Sequence, residues 1–270
     1  MLLLLSPAKD LALETPTLKN ATRPRMLADS LPIAEKLKKF SASKLAALMD
    51  LSPKLGELNR ERYERWGPPF TPGNARPAVF VFNGEVYRGL DPRTLDADDL
   101  RFAQHHLRIL SGLYGVLRPL DLIQDYRLMM GTRLSIGRAK DLYAFWGDRI
   151  TDLLAEDLKS EGGGPIINLA SSEYFKSVNP EKIGVRVVTP VFKDRTPGGY
   201  RMLMAYAKYQ RGALARHIIR HRILDVEKIK KYDGDGYRFA ATDSSADEWV
   251  FLRDKRPTTA PQRLRGGRIR

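Results

Sequence analysis

Two stretches decide the fold class, MLLLLSPAK at residues 1–9 and PIINLASSEYFK at residues 165–176. Each begins with a short, continuous apolar run, which predicts a buried strand. Each run ends in small polar residues, Ser6-Pro7 in the first stretch and Ala170-Ser171-Ser172 in the second, which indicate turns. Further strand and helix patterns interleave without strict βαβ alternation, so we predict a mixed α/β fold in a single compact domain over residues 1–252.

Apolar spacing, capping residues and turn signals predict the other elements. Helices are expected at residues 34–40, 42–49, 53–65, 96–107, 141–158 and 205–222. Strands are expected at residues 78–82, 109–110, 185–192, 200–204, 237–240 and 249–252, with Thr196-Pro197-Gly198-Gly199 forming the turn of a hairpin. The region before residue 33 reads as irregular because prolines and threonines recur in it.

The block RILSGLYGVLRPLDLIQDYRLMMGTR at residues 108–133 follows neither a helical nor a strand period throughout. Glycines and a proline interrupt it at short intervals, and four arginines stand among its apolar residues. Arginines offer planar hydrogen-bond donors to phosphate or carboxylate, so the block is a candidate wall of a binding site. The alternative is a buried connection whose arginines pair with Asp121 and Asp125.

The chain is basic, with 46 Lys and Arg against 32 Asp and Glu and a formal net charge of +14. That balance favours a polyanionic partner such as nucleic acid, an anionic surface or a phosphorylated ligand. Residues 253–270 carry seven Lys and Arg and one acid, with almost no apolar content. We expect them to form a disordered basic tail, which either touches phosphates non-specifically or is a solvated terminus without function.

Composition also excludes several classes of chemistry. The chain has no cysteine, so it has no disulfide, no thiol peroxidase mechanism and no cysteine-ligated cluster. His217 and His221 share a helical face, but no acid accompanies them as in a metal-binding helix motif, and no nucleotide-binding glycine loop occurs. No metal or other cofactor is therefore expected. The opening apolar run is too short for a membrane span or a signal sequence, so we expect a cytoplasmic chain without membrane attachment.

Several blocks resemble the YaaA peroxide-stress protein family in order along most of the chain: LLLLSPAKDL at 2–11, FNGEVYRGL at 82–90, LSGLYGVLRPLDLIQDYRLMMG at 110–131, KDLYAFWGD at 140–148, NLASSEYFKSVNP at 168–180 and AYAKYQRG at 205–212. The resemblance implies a compact mixed α/β fold known as the cantaloupe fold. It also implies resistance to hydrogen peroxide, a lowered level of free iron, and DNA binding through a helix-hairpin-helix element and a basic cleft.

Residues 43–63, SKLAALMDLSPKLGELNRERY, carry the strongest nucleic-acid signal in the sequence itself. Two short helices joined by four residues would present the free N–H groups of the second helix to a phosphate. Ser52 is the expected cap of that helix, and Leu55 and Leu58 are expected to face the first helix. The predicted DNA contacts are Lys44, Ser52, Lys54, Arg60 and Arg62. The hairpin lacks the usual Gly-x-Gly, Gly56 lies inside the second helix, and a core α-hairpin would show the same caps.

A second basic site is expected where strands end. Arg211 falls on the apolar stripe formed by Ala207, Leu214 and Ile218, so it must either pair with an acid or face a bound anion. Ser6 and Lys9 follow the first buried strand, and Ser171 and Lys176 follow the second; they converge if those strands are parallel neighbours. The predicted anion cleft comprises Ser6, Lys9, Arg108, Arg118, Arg127, Lys176, Lys208 and Arg211.

Three functions are considered. The first is binding of nucleic acid, expected to be duplex DNA, through phosphates and without strong sequence preference. The second is an enzyme whose basic cleft acts on a phosphorylated or nucleotide-like substrate. The third is an iron-handling protein. The sequence identifies no protein partner and does not decide whether catalysis occurs.

Overall fold

A computed structural model describes residues 1–12, 14–18 and 20–255. The strands are β1 Leu2–Leu5, β2 Asp10–Leu11, β3 Arg76–Pro77, β4 Phe82–Asn83, β5 Leu107–Ser111, β6 Gly115–Leu117, β7 Leu122–Ile123, β8 Ile166–Asn168, β9 Val187–Thr196, β10 Gly199–Arg201, β11 Arg238–Phe239 and β12 Glu248–Arg253.

One mixed sheet forms the centre of the fold, in the order β11-β12-β9-β8-β1-β5-β6, with β10 pairing with β9. The strands β12, β9, β8, β1 and β5 run parallel, whereas β11, β10 and β6 are antiparallel to their neighbours. Every residue of β1 is buried, as its uninterrupted run of leucines predicts. The prediction of a single mixed α/β domain is confirmed, and its sheet is largely parallel.

Helices surround this sheet. They are α1 Leu27–Lys38, α2 Ala42–Met49, α3 Pro53–Arg65, α4 Ala78–Val81, α5 Glu85–Leu90, α6 Ala97–His106, α7 Leu142–Trp146, α8 Arg149–Ser160, α9 Ser172–Phe175, α10 Pro180–Ile183 and α11 Met204–Arg220. Short 3-10 turns lie at Pro92–Thr94, Val226–Lys231, Gly234–Gly236 and Ala241–Asp243.

Local sequence patterns correctly predicted most of these helices and strands. The boundaries of α2 and α3 agree with prediction because each begins after a serine whose side chain accepts a backbone N–H, Ser41 for α2 and Ser52 for α3. The hairpin β9–β10 and the final antiparallel pair β11–β12 are also confirmed.

Three predictions about elements are wrong. Residues 78–81 form the helix α4 rather than a strand, because a short apolar run does not distinguish the two. The first long helix starts at Leu27, before the predicted irregular region ends, and keeps Pro32 inside it. The single helix expected at residues 141–158 is divided into α7 and α8 by Gly147, whose φ is +49°.

Two glycines allow α5 and α11 to cross at very short range. A Cβ atom at Gly212 would lie 1.7 Å from the carbonyl oxygen of Val86, and one at Gly89 would lie 2.0 Å from that of Tyr209. Neither position therefore tolerates a side chain unless the helices separate. The crossing fixes α11 against the sheet, because α11 also packs on β1 and β9.

The described chain ends beside the sheet. Arg253 is the last residue of β12 and is buried, with its Nε donating to Asp194 Oδ1 at 2.7 Å. The sheet therefore includes one residue that the sequence assigned to the basic tail. The rest of the predicted tail from residue 256 onward lies outside the described residues.

Candidate anion-binding cleft

The ends of β1 and β8 meet at one edge of the sheet. The two strands are parallel neighbours, with Leu4 opposite Asn168. The backbone N–H of Ser171 donates to Ser6 Oγ at 2.9 Å, and the two hydroxyl oxygens are 3.3 Å apart. The predicted convergence of these strand ends is confirmed. It places the segments that follow both strands beside each other at the carboxyl edge of the parallel sheet, where α/β proteins bind ligands.

A cleft of about 470 Å³ opens at this edge. Its walls are residues 6–10 after β1, residues 83–86 at the start of α5, residues 126–129, residues 169–174 after β8, and the first half of α11. Only the second half of the arginine-rich block 108–133 contributes, because its first half forms β5 and β6. That block is therefore partly scaffold and partly site wall.

Four cations line the cleft: Lys9, Arg127, Lys208 and Arg211. No ion pair or side-chain hydrogen bond joins any of them to another group in the described part of the chain. Lys9 and Lys208 are exposed, whereas Arg127 and Arg211 are only partly exposed. The Nε of Arg127 is buried and lacks a hydrogen-bond partner among the residues described. None of these four cations is therefore neutralised by a direct partner among the described residues, although the carboxylates of Asp10, Glu85 and Glu173 also line the cleft.

The surroundings of Arg211 distinguish between the two alternatives for this residue, a pair with an acid or contact with a bound anion. Ala207, Leu214 and Ile218 are buried, so the apolar stripe on which it was predicted to lie is confirmed. Burial lowers the pKa of the Arg211 guanidinium, and no carboxylate opposes that effect. A structural ion pair is therefore ruled out within the residues described, and the guanidinium instead faces the cleft.

Two of the three acidic side chains of the cleft wall, Glu85 and Glu173, accept hydrogen bonds from other groups. Glu85 accepts from Arg88 at 2.6 Å, within α5. Glu173 accepts from the backbone N–H of Gly131 at 3.0 Å. Asp10 is exposed at the edge of the small sheet β2–β4. These contacts leave the four cations available to an added anion.

Two predicted members of the cleft lie elsewhere. Arg108 is near the amino end of β5, at the opposite edge of the sheet, and donates to Asp157 at 2.5 Å together with Arg25. Arg118 follows β6, which runs antiparallel to β5 and so ends at that same opposite edge; it pairs with Asp121 at 3.2 Å. Assigning both to the cleft was wrong. Asp157 is 49 residues from Arg108 and cannot be read from local sequence, whereas the Arg118–Asp121 pair is the alternative that was predicted for this block.

Lys176 also lies outside the residues that line the cleft. It follows the short helix α9, and its Nζ lies 5.1 Å from the ring centroid of Tyr143. Of the eight predicted residues, the structure therefore brings together Ser6, Lys9, Arg127, Lys208 and Arg211.

Apolar side chains also line the cleft, and the sequence analysis did not predict them. Val86, Leu128 and Leu169 contribute to it and are buried, as are the rings of Tyr126 and Tyr174. Burial raises the pKa of both tyrosine hydroxyls, so both stay protonated at neutral pH. One signal that could have indicated this lining is the block FNGEVYRGL, which includes Val86 and carries part of the family resemblance.

The helical pair α2–α3 forms a separate basic surface. Ser52 caps α3 by accepting from the N–H of Leu55 at 3.4 Å, and Lys54 is exposed with no ion pair in the described residues. Lys44 is also exposed, and its Nζ lies 3.9 Å from the ring centroid of Phe40. Arg60 is bound by Glu57 and Glu64, so its charge is largely neutralised.

Gly56 explains how these helices pack. A Cβ atom there would lie 2.5 Å from the carbonyl oxygen of Ala42, so the glycine lets α3 approach α2 closely. The buried face of α3 is consequently Gly56, Asn59 and Tyr63. Leu55 and Leu58 are 36% and 37% exposed, and the expectation that they face α2 was wrong.

A hydrogen bond connects the helical pair α2–α3 to the wall of the cleft. The hydroxyl of Tyr63 on α3 donates to the backbone carbonyl of Arg127 at 2.8 Å. Arg62 is partly buried, and this burial, together with the charge of Arg127, lowers the pKa of its guanidinium below the usual value. The Arg127 segment is therefore held by the helix that carries the second predicted basic surface.

Comparison with known proteins identifies the family. The family model described as peroxide stress protein YaaA matches residues 1–243. The chain belongs to the peroxide stress protein YaaA family. A UPF0246 protein of Cupriavidus metallidurans is 51% identical over 257 residues, covering 94% of this chain and 98% of that protein. UPF0246 proteins of Ralstonia pickettii and Saccharophagus degradans are 51% and 49% identical, each over 254 residues, 94% of this chain and 99% of the relative.

The blocks that resemble the YaaA family now have structural roles. FNGEVYRGL includes β4 and α5, and AYAKYQRG is the first half of α11, so the two form the glycine crossing beside the cleft. No group of three or more His, Asp or Glu suited to a metal ion occurs within the described ranges. None of the helices in those ranges has the length and apolar character that crossing a membrane requires.

Proposed function

We propose that this member of the YaaA family binds nucleic acid, mainly duplex DNA, through its phosphates and without strong sequence preference. The observation that carries this proposal is the cluster of four cleft cations without acidic partners. Cations in a concave surface attract a polyanion when no carboxylate pairs with them directly, and here the four cations outnumber the three carboxylates of the same lining. Phosphate contacts are shared by all sequences, which is why strong base preference is not expected.

We also propose that the helical pair α2–α3 is a second contact surface for DNA, of helix-hairpin-helix type. Lys44 and Lys54 are exposed, and the capped start of α3 lies beside Lys54. Free N–H groups at the start of a helix and adjacent lysines favour a phosphate. We assign Arg60 a smaller part, since its charge is already paired, and Arg62 a part limited by its burial.

The physiological part of the proposal comes from the family. DNA binding would serve protection against hydrogen peroxide, together with a lower level of free iron. The absence of cysteine from the whole sequence means that such protection does not proceed through thiol chemistry. Covering DNA is a role consistent with a basic surface and requires no redox-active side chain.

Salt dependence tests the DNA proposal. The affinity of the full chain for a duplex should fall as salt rises, with log K decreasing by about 0.9 per phosphate contact for each log unit of salt. Arg211→Gln and Lys54→Gln should each weaken binding and lower this slope by about one contact. Arg220→Gln is the matched control on α11, because Arg220 is exposed and lies about 13 Å further along the helix.

Removal of residues 256–270 completes the test, since these residues carry five arginines. The truncated chain should retain duplex binding with a shallower salt slope. A truncated chain that no longer binds DNA, or Arg211 and Lys54 variants that bind like the parent, would show that the body of the protein does not contact DNA.

A second candidate function is supported by the size and position of the cleft. A volume of about 470 Å³ falls within the range of small-molecule sites, about 300–1,000 Å³. An enzyme acting on a phosphorylated or nucleotide-like substrate would use the same cations as anion clamps. This function predicts saturation by one small phosphorylated ligand, a shallow salt dependence, and no effect of Lys54→Gln.

A further inference from the structure

A second cavity, of about 390 Å³, lies between the carboxyl end of α3, residues 72–76 and residues 123–125. We call it the α3 cavity. None of the residues that line it also lines the cleft at the edge of the sheet. The two are close along the chain, because Asp125 lines the α3 cavity and Arg127 lines the cleft. The α3 cavity is therefore a separate site, and DNA binding at the cleft does not account for it.

Three arginines and one carboxylate line the α3 cavity. Asp125 forms an ion pair with Arg76, so these two charges largely cancel. Arg62 and Arg65 have no ion pair in the described part of the chain. Among the described residues, the Arg62 side chain makes one hydrogen bond, to Asn59 Oδ1 at 3.5 Å, and the Arg65 side chain makes none. Two guanidinium charges of the lining are therefore left without a direct partner.

The acids of α3 do not remove this excess. Glu61 and Glu64 are exposed and do not line the cavity, and Glu64 pairs with Arg60. Arg62 is partly buried, and this burial lowers the pKa of its guanidinium, although the charge of Asp125 opposes the effect. The attraction of Asp125 is thus too small to offset the loss of water around Arg62. A bound anion would supply the missing compensation.

The other polar groups of the wall are already bonded to protein atoms. Trp66 Nε1 donates to the hydroxyl of Tyr114 at 2.7 Å. The side-chain amide of Gln124 accepts from the N–H of Gly67 at 2.8 Å and donates to its carbonyl oxygen at 3.0 Å. The Asn74 side chain is bonded within its own turn. These bonds hold the wall in place, and the two unpaired arginines present hydrogen-bond donors to a ligand.

The chemistry of the lining indicates which anion fits. The planar donor forks of arginine match the oxygens of phosphate and carboxylate. A phosphomonoester carries a charge of about −1.5 to −2 at neutral pH, whereas a carboxylate or a phosphodiester carries one negative charge. Two uncompensated guanidiniums match the dianion. A volume of about 390 Å³ is in the range of small-molecule sites, about 300–1,000 Å³.

We propose that the α3 cavity binds a small phosphomonoester, with its phosphate oxygens at Arg62 and Arg65. Ile123 and Pro72 also line the cavity and would contact the organic part of the ligand. This inference goes beyond the proposed DNA binding and does not depend on it. It assigns the partly buried Arg62 a ligand small enough to enter the cavity.

Nuclear magnetic resonance can observe this cavity separately from the cleft. The chain contains three tryptophans, and Trp66 lines the α3 cavity, whereas Trp146 and Trp249 line neither cavity nor cleft. The indole N–H signal of Trp66 is assigned with Trp66→Phe. Glycerol phosphate is added to the full chain in chloride buffer at about pH 7.5, where the ester is mainly a dianion. The Trp66 signal should shift and saturate, while the other two indole signals change little.

Three other probes test the chemical class. Inorganic phosphate should cause a saturable shift of the same signal, because it presents the same group. Dimethyl phosphate and acetate should bind roughly fivefold more weakly or worse, because each lacks one charge that a partly exposed arginine would pair with. A response to inorganic phosphate without a response to glycerol phosphate would overturn the proposed ester site.

Four variants locate the binding. Arg62→Gln and Arg65→Gln should each weaken glycerol phosphate about tenfold or more, because a charge-assisted hydrogen bond is lost. Arg101→Gln is the matched control, since Arg101 is 71% exposed on α6 and pairs with Asp98 there. Arg211→Gln should also keep the parent titration curve, because Arg211 lines only the cleft. Thermal melting checks that every variant is folded.

The outcomes separate this site from DNA binding. The proposal is overturned if glycerol phosphate leaves the Trp66 signal unchanged, or if folded Arg62→Gln and Arg65→Gln titrate like the parent. Loss of the response in Arg211→Gln alone would place the phosphate in the cleft and also overturn it. A Trp66 signal that shifts with duplex DNA but not with glycerol phosphate would overturn the small-ligand site and leave DNA binding intact.

Discussion

Replacing Arg211 with methionine should improve stability and impair binding at the same time. Arg211 is partly buried on an apolar helical stripe, and no acid neutralises it in the described residues. Burial alone is the reason that the pKa of its guanidinium is lowered. We therefore expect the arginine to cost folding free energy in the free protein, and the proposed binding of an anion in the cleft would account for its presence.

The magnitudes follow from the environment of the side chain. Replacing a buried ion pair with apolar side chains is neutral to stabilising by about 1–4 kcal/mol, and for the unpaired but partly exposed Arg211 we expect about 1 kcal/mol. In a domain of this size that corresponds to a rise in melting temperature of about 2–4 °C. Loss of charge-assisted hydrogen bonds to a phosphate costs about 1.5–3 kcal/mol of binding, which is about 10- to 150-fold in affinity.

Urea unfolding and thermal melting of the DNA-free protein, in chloride buffer without phosphate or sulfate, measure the first effect. Titration of labelled DNA measures the second. Arg220→Met is the control, because Arg220 is exposed on the same helix and makes only a 4.0 Å contact with Asp99. A loss of about 3–5 kcal/mol of stability in Arg211→Met would refute the reasoning, since that is the result of breaking a buried ion pair.

Three further predictions test the scaffold. Gly212→Ala should destabilise the chain by about 1–3 kcal/mol or more in urea unfolding and should weaken DNA binding. The reason is that the added methyl group would lie 1.7 Å from the Val86 carbonyl oxygen. As a control, Gly73→Ala should change little, because the nearest atom there is the Thr71 hydroxyl oxygen at 3.7 Å. Asp194→Ala should cost about 3–5 kcal/mol, because it leaves the buried guanidinium of Arg253 without its carboxylate, whereas Asp243→Ala at an exposed position should have almost no effect. Burial of Asp157 would raise the pKa of its carboxyl, but the hydrogen bonds from Arg25 and Arg108 outweigh that effect and hold the pKa below the usual 3.8. The ionised Asp157 therefore contributes its full stabilisation above about pH 4, and this stabilisation is lost as pH falls through the lowered pKa. In acid unfolding, the difference in stability between the parent and Asp157→Asn should shrink below about pH 4. A difference that stays constant with pH would contradict this prediction.

One nucleic-acid ligand could contact the cleft and the helical pair α2–α3 together. Tyr63 on α3 donates to the carbonyl of Arg127, which lines the cleft. A backbone held on Lys54 at the start of α3 and a phosphate held at Arg127 would therefore contact parts of the fold that share a direct hydrogen bond. This arrangement is consistent with one nucleic-acid ligand that contacts both surfaces.

Part of this protein could be predicted from its sequence because the responsible interactions are local. The leucines of β1 have no polar alternation, and a strand of that kind is stable only when it is covered on both faces. Ser41 and Ser52 fix the starts of α2 and α3 through bonds to residues three positions away. The position of Arg211 on an apolar stripe follows from helical periodicity alone.

Tertiary structure alone decided which cations remain available. Arg108 and Arg211 look equally basic in the sequence, yet Arg108 meets Asp157, which is 49 residues away, and Arg211 meets no acid in the described chain. The pairing depends on which edge of the sheet each residue occupies, and that is set by strand order and direction. The sequence determined most of the strands, helices and turns, because these depend mainly on neighbouring residues. The cleft depends on contacts between distant segments, which exist only once the sheet has formed.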